Sequence, residues 1–275
     1  MSVTAPSAVT LRPPPAADRA TARTRRLLAL VHRNLLQYRH SPLVLLSGVF
    51  EPLMYLLSVG VGIGRLVHHV PGLDDPNLGY AAFVAPALLA TAAMNDAMSE
   101  TTNVFYSKLR VERVYDSVLT TPLDVTDVVL GETLWAVLRG LTAAVGFLAF
   151  AAALGMLHSA WVLLVPVCAL LISFAFATVG LTVATYIRGW QDFQYVQVAM
   201  LPMFLFATTF YPLGVYPRPL QFAVEATPLF HAVELVRAVS LGHFGPSLAG
   251  HAAYLAVMGL LGLWAATRRL RAVTA

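Results

Sequence analysis

Charge is what this sequence has least of. Only 12% of its 275 residues are Asp, Glu, Lys or Arg, whereas a soluble domain carries about a quarter. With 58% hydrophobic residues gathered in long apolar runs, that deficit excludes an ordinary soluble domain and points to a chain dissolved in a bilayer. Cysteine is nearly absent. The single Cys168 lies inside an apolar run, which excludes an internal disulfide framework and a cysteine zinc site. No GxxxxGK[ST] phosphate loop occurs, so a nucleotide site of that kind is not expected here. The glycine-dense "GVGIG" at Gly60 to Gly64 has no lysine and closes an apolar run, which suits close helix packing. His68 and His69 are adjacent, too few ligands for a zinc site, and they read as the end of a loop. No nucleophile, base and orienting group assemble from the sequence, so no catalytic, cofactor or metal residues are assigned.

The opening residues 1–20, rich in Pro, Ala, Ser and Thr, read as a disordered tail. They lack the apolar core of a secretory signal. Residues 21–41 follow, with Leu27, Leu28, Leu30, Val31, Leu35 and Leu36 on one stripe and Arg23, Arg25, Arg26, Arg33 and Arg39 around it. This is the pattern of an amphipathic helix lying on an anionic membrane surface. Residues 42–275 form the transmembrane domain.

At roughly 20 apolar residues per crossing, six spans are expected. They lie near Pro42 to Leu66, Tyr80 to Val104, Val128 to Leu154, Trp161 to Tyr186, Tyr195 to Leu213 and Leu248 to Ala266. The fold class is therefore an all-α membrane protein. Basic residues concentrate in the amino-terminal region, in "YSKLRVERVYDS", in "YIRGWQD" and in "TRRLRAVTA". The positive-inside rule then puts both termini in the cytoplasm; the expected location is a bacterial inner membrane. The same placement explains the formal charge of +4 without nucleic acid as a partner.

The stretch "TFYPLGVYPRPLQFAVEATPLFHAVELVRA", Thr209 to Ala238, interrupts this pattern. Pro212, Pro217, Pro219 and Pro228 forbid one continuous helix. Two short helices starting at proline-tolerant first turns are expected instead. Broken backbone at membrane depth needs protein or a water-filled cavity around it. The expectation is a re-entrant external hairpin between the fifth and sixth spans. It carries His231 and a Glu234–Arg237 pair one turn apart.

Charges inside spans are costly and mark candidate sites. Glu51 precedes Pro52 in the first span. Asp96 and Glu100 share a face of the second. Glu132 and Arg139 share a face of the third. They could line a pathway or relay protons, or Arg139 could pair with Glu132 or Glu100 and lock spans together. Between spans two and three, Lys108, Arg110, Glu112, Arg113 and Asp116 carry charge. Val111, Val114, Tyr115, Val118 and Leu119 keep an apolar side, as a groove-docking peptide requires. Thr120, Thr121 and Pro122 break that segment, and Asp124 or Thr126 can cap the third span.

"FLFATTFYPLGVYPRPLQFAVEATPLFHAVELVRAVSLG", with "FEPLMYLLSVGVGIG" and "YAAFVAPALLA" earlier, resembles ABC-2 type permeases over about residues 25 to 270. The subgroup resembled includes the permeases of the nodulation lipooligosaccharide exporter and of antibiotic exporters. Thr227 stands where that pattern has Asn. The resemblance implies a transport subunit without its own ATPase, dimerising with a second copy of itself and served by two copies of an ABC ATPase that bind ATP and Mg. It implies that Lys108, Arg110, Glu112, Arg113, Tyr115 and Asp116 belong to the ATPase-coupling helix. It also implies a pathway between the first and fifth spans, with Glu51, Phe204, Phe206, Phe210, Tyr211 and Pro212 as lining or gate candidates. A lipidic, glycolipid or drug-like amphiphile suits such a lining. An ATP-independent channel or intramembrane enzyme is the rival reading.

Overall fold

The structure is a computed structural model, and it describes residues 16–39, 42–65, 79–121, 123–154 and 159–274. The tail before Ala16, His68 and His69 with their loop, and Pro122 lie outside these residues. All regular structure among the described residues is helical.

Helix α1 runs Ala16–Arg39 and therefore starts inside the stretch read as tail. Helix α2, Pro42–Tyr55, continues through wider turns at Leu56–Gly62 and a tight turn at Ile63–Arg65. Helix α3, Tyr80–Ser99, likewise continues to Val111 through wider turns at Glu100–Val104 and Ser107–Val111. Then come α4 (Val114–Val118), α5 (Val125–Ala153), α6 (Val165–Ala184), α7 (Phe193–Phe206), α8 (Arg218–Glu225), α9 (Pro228–Leu241) and α10 (Pro246–Thr274).

Four helical rods among the described residues are long and apolar enough to cross a bilayer: Tyr80–Val111, Val125–Ala153, Trp161–Ala184 and Pro246–Thr274. A shorter apolar helical stretch covers Gly48–Gly60. The chain is thus a helical membrane protein. The expected fifth span, Tyr195 to Leu213, is not one helix. Helix α7 has 14 residues, roughly 21 Å at 1.5 Å per residue, against a hydrocarbon core of about 30 Å. Pro202 lies within it. The helix ends at Ala207, and Thr208 follows with φ 58°, a conformation that a β-branched residue seldom adopts.

Helix α3 is the centre of the bundle. Val84, Ala87, Ala90, Met94 and Ala97 are fully buried, and α5, α6 and α9 pack around it. Small residues let the other rods approach closely, as packing in lipid requires. A Cβ on Gly131 of α5 would meet Leu30 Cδ1 of α1 at 2.7 Å, so this glycine seats α1 against α5. A Cβ on Gly262 of α10 would meet Thr178 Oγ1 of α6 at 2.6 Å and Thr178 backbone carbon at 3.0 Å. Thr182 then donates to the Gly262 carbonyl at 3.1 Å. Helix α7 differs from all of these, because none of its residues is buried.

Replacing Gly262 with Val should push α10 off α6 and cost about 1–3 kcal/mol, the usual range for overpacking. Thermal unfolding in detergent is expected to show a lower midpoint, and an unchanged midpoint would contradict the close approach.

Candidate functional site

The intramembrane charges named from the sequence come together, joined by residues that sequence reasoning missed. Arg139 of α5 pairs with Glu100 and, at 3.3 Å, with Asp96, both on the α3 rod. It does not pair with Glu132, which resolves the two alternatives left by spacing. Glu100 also accepts from Tyr38 of α1 at 2.5 Å and from Trp135 at 3.0 Å. Glu132 is the second centre. It accepts from Lys108 at 2.9 Å, Tyr115 at 2.9 Å, Arg33 at 2.9 Å and Asn34 at 3.1 Å. Lys108 bridges the two centres, 3.9 Å from Glu100.

The two centres form one buried ladder. From α4 it reads Tyr115, Glu132, Lys108, Glu100, Arg139, Asp96. Its charges alternate in sign, and every charged member is buried. Buried ions are tolerated when paired and hydrogen-bonded. Burial, and then the Glu132 carboxylate, hold the Tyr115 phenol well above its usual value, so it stays a donor. Burial, then Glu100, likewise push Tyr38 up.

Helix α1 therefore differs from a helix whose polar face is given wholly to lipid headgroups. Leu30, Asn34 and Tyr38 form its buried stripe at four-residue spacing. Arg33 meets Glu132, and Arg26 meets Asp127 of α5 at 3.4 Å. Leu28, Leu35 and Leu36 stay exposed. Two of the arginines read as lipid anchors are thus ion-pair partners of α5.

The proposed coupling residues divide into two groups. Lys108 is 2% exposed and Tyr115 1%, so both belong to the ladder. Arg110, Val111, Glu112, Arg113 and Asp116 are exposed. The segment is not one helix. Arg113 adopts φ 49° and turns the chain between the α3 rod and α4. Asp124 caps α5, accepting from the Thr126 amide and hydroxyl, with Asp127 reciprocating. The Thr126 hydroxyl, more than any other contact, lowers the Asp124 carboxyl.

Beside the Asp96 end lies a polar cavity of about 290 Å³ between α2, α3 and α7, lined by Glu51, Asn95, Asp96, Asn103, Arg139 and Gln197 among others. Glu51 is exposed and has no ion-pair partner among the described residues. Phe204 of α7 meets the Tyr55 ring edge-on at 5.7 Å and Phe210 at 5.3 Å. Phe206 and Tyr211 are largely exposed, and Pro212 caps a short turn at Leu213–Val215.

Pro217, Pro219 and Pro228 stand at the starts of α8 and α9. Glu234 and Arg237 are more than a self-neutralising pair. Arg237 is buried under Phe83 at 4.1 Å and donates to the Thr208 carbonyl at 2.7 Å. The Thr208 hydroxyl donates to Glu234 at 3.1 Å. This clamp holds the strained residue where α7 ends. His231 lies 2.8 Å from His251 of α10 through their Nδ1 atoms and stacks on Tyr254. Phe222 is 72% exposed, whereas Phe230 is buried.

A membrane protein with such a ladder, and with those prolines before its last rod, can be compared with known families. The ABC-2 type transporter family matches residues 25–241. This chain belongs to that family. It is 31% identical over 249 residues to nodulation protein J of Rhizobium leguminosarum bv. trifolii, covering 89% of this chain and 92% of the relative. It is 29% identical over 252 residues to nodulation protein J of Rhizobium meliloti (strain 1021), covering 88% and 93%. It is therefore an ABC-2 permease of the nodulation-exporter subgroup. Members are transport subunits that pair with an ABC ATPase carried on a separate subunit.

Changing Arg139 to Met in this ABC-2 permease strands Glu100 and Asp96 without their cation. The expected loss is about 3–5 kcal/mol, the range for breaking a buried pair, read as a lower unfolding midpoint. Arg110→Glu, on the exposed segment, should stay within about 0.5 kcal/mol of wild type. Equal stability of the two variants would refute the ladder.

Proposed function

We propose that this permease is the membrane half of an ATP-driven exporter that moves a lipidic, glycolipid or drug-like amphiphile out of the cytoplasm or inner leaflet. It works as a homodimer with two copies of an ABC ATPase, which hold the ATP and Mg. It lies in the bacterial inner membrane with both termini cytoplasmic, on the positive-inside argument. Six crossings are proposed, the first made by α2 with its wider turns to Arg65 and the fifth by α7 together with the non-helical residues 207–212 that follow it, and α8–α9 re-entering from the outside. The exposed apolar faces of α2 (Phe50, Met54) and α7 (Tyr195, Val198, Leu201) supply surface for a second copy.

The observation that carries this reading is the ladder. It joins α4, beside the exposed charges Arg110, Glu112, Arg113 and Asp116, to a polar cavity at Asp96. Interiors with paired charges have discrete packings. A push on α4 from the ATPase then has two outcomes for the Lys108 and Arg139 pairings, closed and shifted. The second brings Asp96 and the cavity lining with it. The Arg237–Thr208 clamp would release at the far end as substrate leaves.

Reversing Arg110 and Arg113 to Glu should weaken docking of the cognate ATPase and lower its stimulation by the permease about tenfold or more, since like charges across an interface cost several kcal/mol. Folding should be unaffected because both side chains are exposed. Full stimulation by the double variant in a co-purified complex would remove the coupling assignment.

A further inference from the structure

Two histidines join α9 to α10 near the start of each helix. His231 and His251 are both half-buried, with the Nδ1 atoms 2.8 Å apart. Tyr254, one turn along α10, stacks on the His231 ring at 3.9 Å and donates to the Ala226 carbonyl between α8 and α9 at 3.0 Å. Phe230 meets both imidazoles edge-on, at 5.5 and 5.8 Å. One face of α10 thus grips the α8–α9 junction. Helix α8 has little else to hold it, since Val224 is its only buried residue. The histidine contact has a chemical condition. A neutral imidazole carries one N–H and one bare nitrogen, so the bond needs an N–H on one Nδ1 and a lone pair on the other. One added proton leaves that bond possible. Two put an N–H on both facing nitrogens and leave like charges in contact.

We propose that the His231–His251 contact is a proton-operated latch, which holds the α8–α9 junction to α10 while at most one ring is charged and releases it when both are. Burial, and then the neighbouring His251, hold His231 below its usual value, against a smaller opposing pull from the Glu225 backbone. That direction fixes the sign. The closed contact is stable at high pH, and the released ring, near its ordinary value of about 6.5, takes up the proton as pH falls. Other ionisable groups near α9 are engaged elsewhere or lie apart. Glu234 of α9 is held by Arg237 and Thr208. On α3, Tyr80 donates to the Phe210 carbonyl and Asp96 pairs with Arg139. Cys168 of α6 is buried in the core, and Tyr195 of α7 is exposed. Residues 160–164 carry no ionisable side chain. The latch goes beyond the transport reading, because its release depends on pH and not on what is carried. Placing α8–α9 outside would make the external medium the side it senses.

The test is a spin-label distance in the purified permease in phosphatidylcholine nanodiscs, where both faces meet the same pH and the latch is tested without that placement. Labels are attached at Phe222→Cys of α8 and Leu260→Cys of α10, both exposed, in a Cys168→Ala background diluted with unlabelled permease. One narrow distance is expected at about pH 8. A second, longer population should appear below about pH 6.5 and dominate at about pH 5. His251→Asn supplies an amide that can bond either form of His231 and cannot become a cation, so its distribution should be the same at both pH values. His231→Gln checks the other ring, with the same loss of response expected. A wild-type distance that stays unchanged across this range would overturn the latch. So would a pH response that persists in either variant, since other groups would then carry it.

Discussion

The ion pair between Glu100 and Arg139 is the constraint on which the rest of the site depends. A bilayer cannot solvate either charge, so each must find its partner inside the protein. Arg139 reaches across from α5 to the α3 rod. Once it does so, Asp96 and Tyr38 fall within its reach. Lys108, further along the α3 rod than Glu100, extends the same logic to Glu132, and Glu132 draws in Arg33 and Asn34. Three elements are thus fixed to each other by charge: α1, the α3 rod and α5. Replacing such a network by apolar residues of equal volume can be neutral for stability. Its use is better sought in holding one register between helices that apolar packing alone leaves free to slide.

The opposite condition holds at α7. It buries no residue, ends short, and closes on a strained Thr208 that depends on Arg237. Strain of this kind persists where surrounding contacts over-determine it. A rigid ladder on one side and a weakly held helix on the other place the capacity for movement between them, at the polar cavity.

Much of this was legible in the sequence. The charge deficit and apolar runs gave the membrane class, and the prolines at Pro217, Pro219 and Pro228 marked the starts of α8 and α9. Asp96 with Glu100, and Glu132 with Arg139, announced themselves as costly charges at helical spacing. Three things were not legible. Lys108 and Tyr115 sit in a run of basic and polar residues, and nothing local shows that the α3 rod continues far enough to bury Lys108. Arg33 and Arg26 looked like lipid anchors, because lipid phosphate and a buried carboxylate attract the same guanidinium. The end of α7 is set by Arg237, a tertiary partner that no local propensity reports. The signal that could have found the α1 contacts was the four-residue spacing of Leu30, Asn34 and Tyr38, which puts a polar residue in the middle of a packing stripe.

The central claim is that the ladder carries a disturbance at α4 to the cavity. A double-mutant cycle with Tyr115→Phe and Asp96→Asn, read as ATP hydrolysis in the assembled complex, tests it most directly. These residues bond to different partners, Glu132 and Arg139. Without a ladder their effects should add within about 0.3–0.5 kcal/mol. The account predicts a coupling energy of about 1 kcal/mol or more, as for sites linked through a two-state element. Additive effects would show that the ladder holds the helices together but transmits nothing.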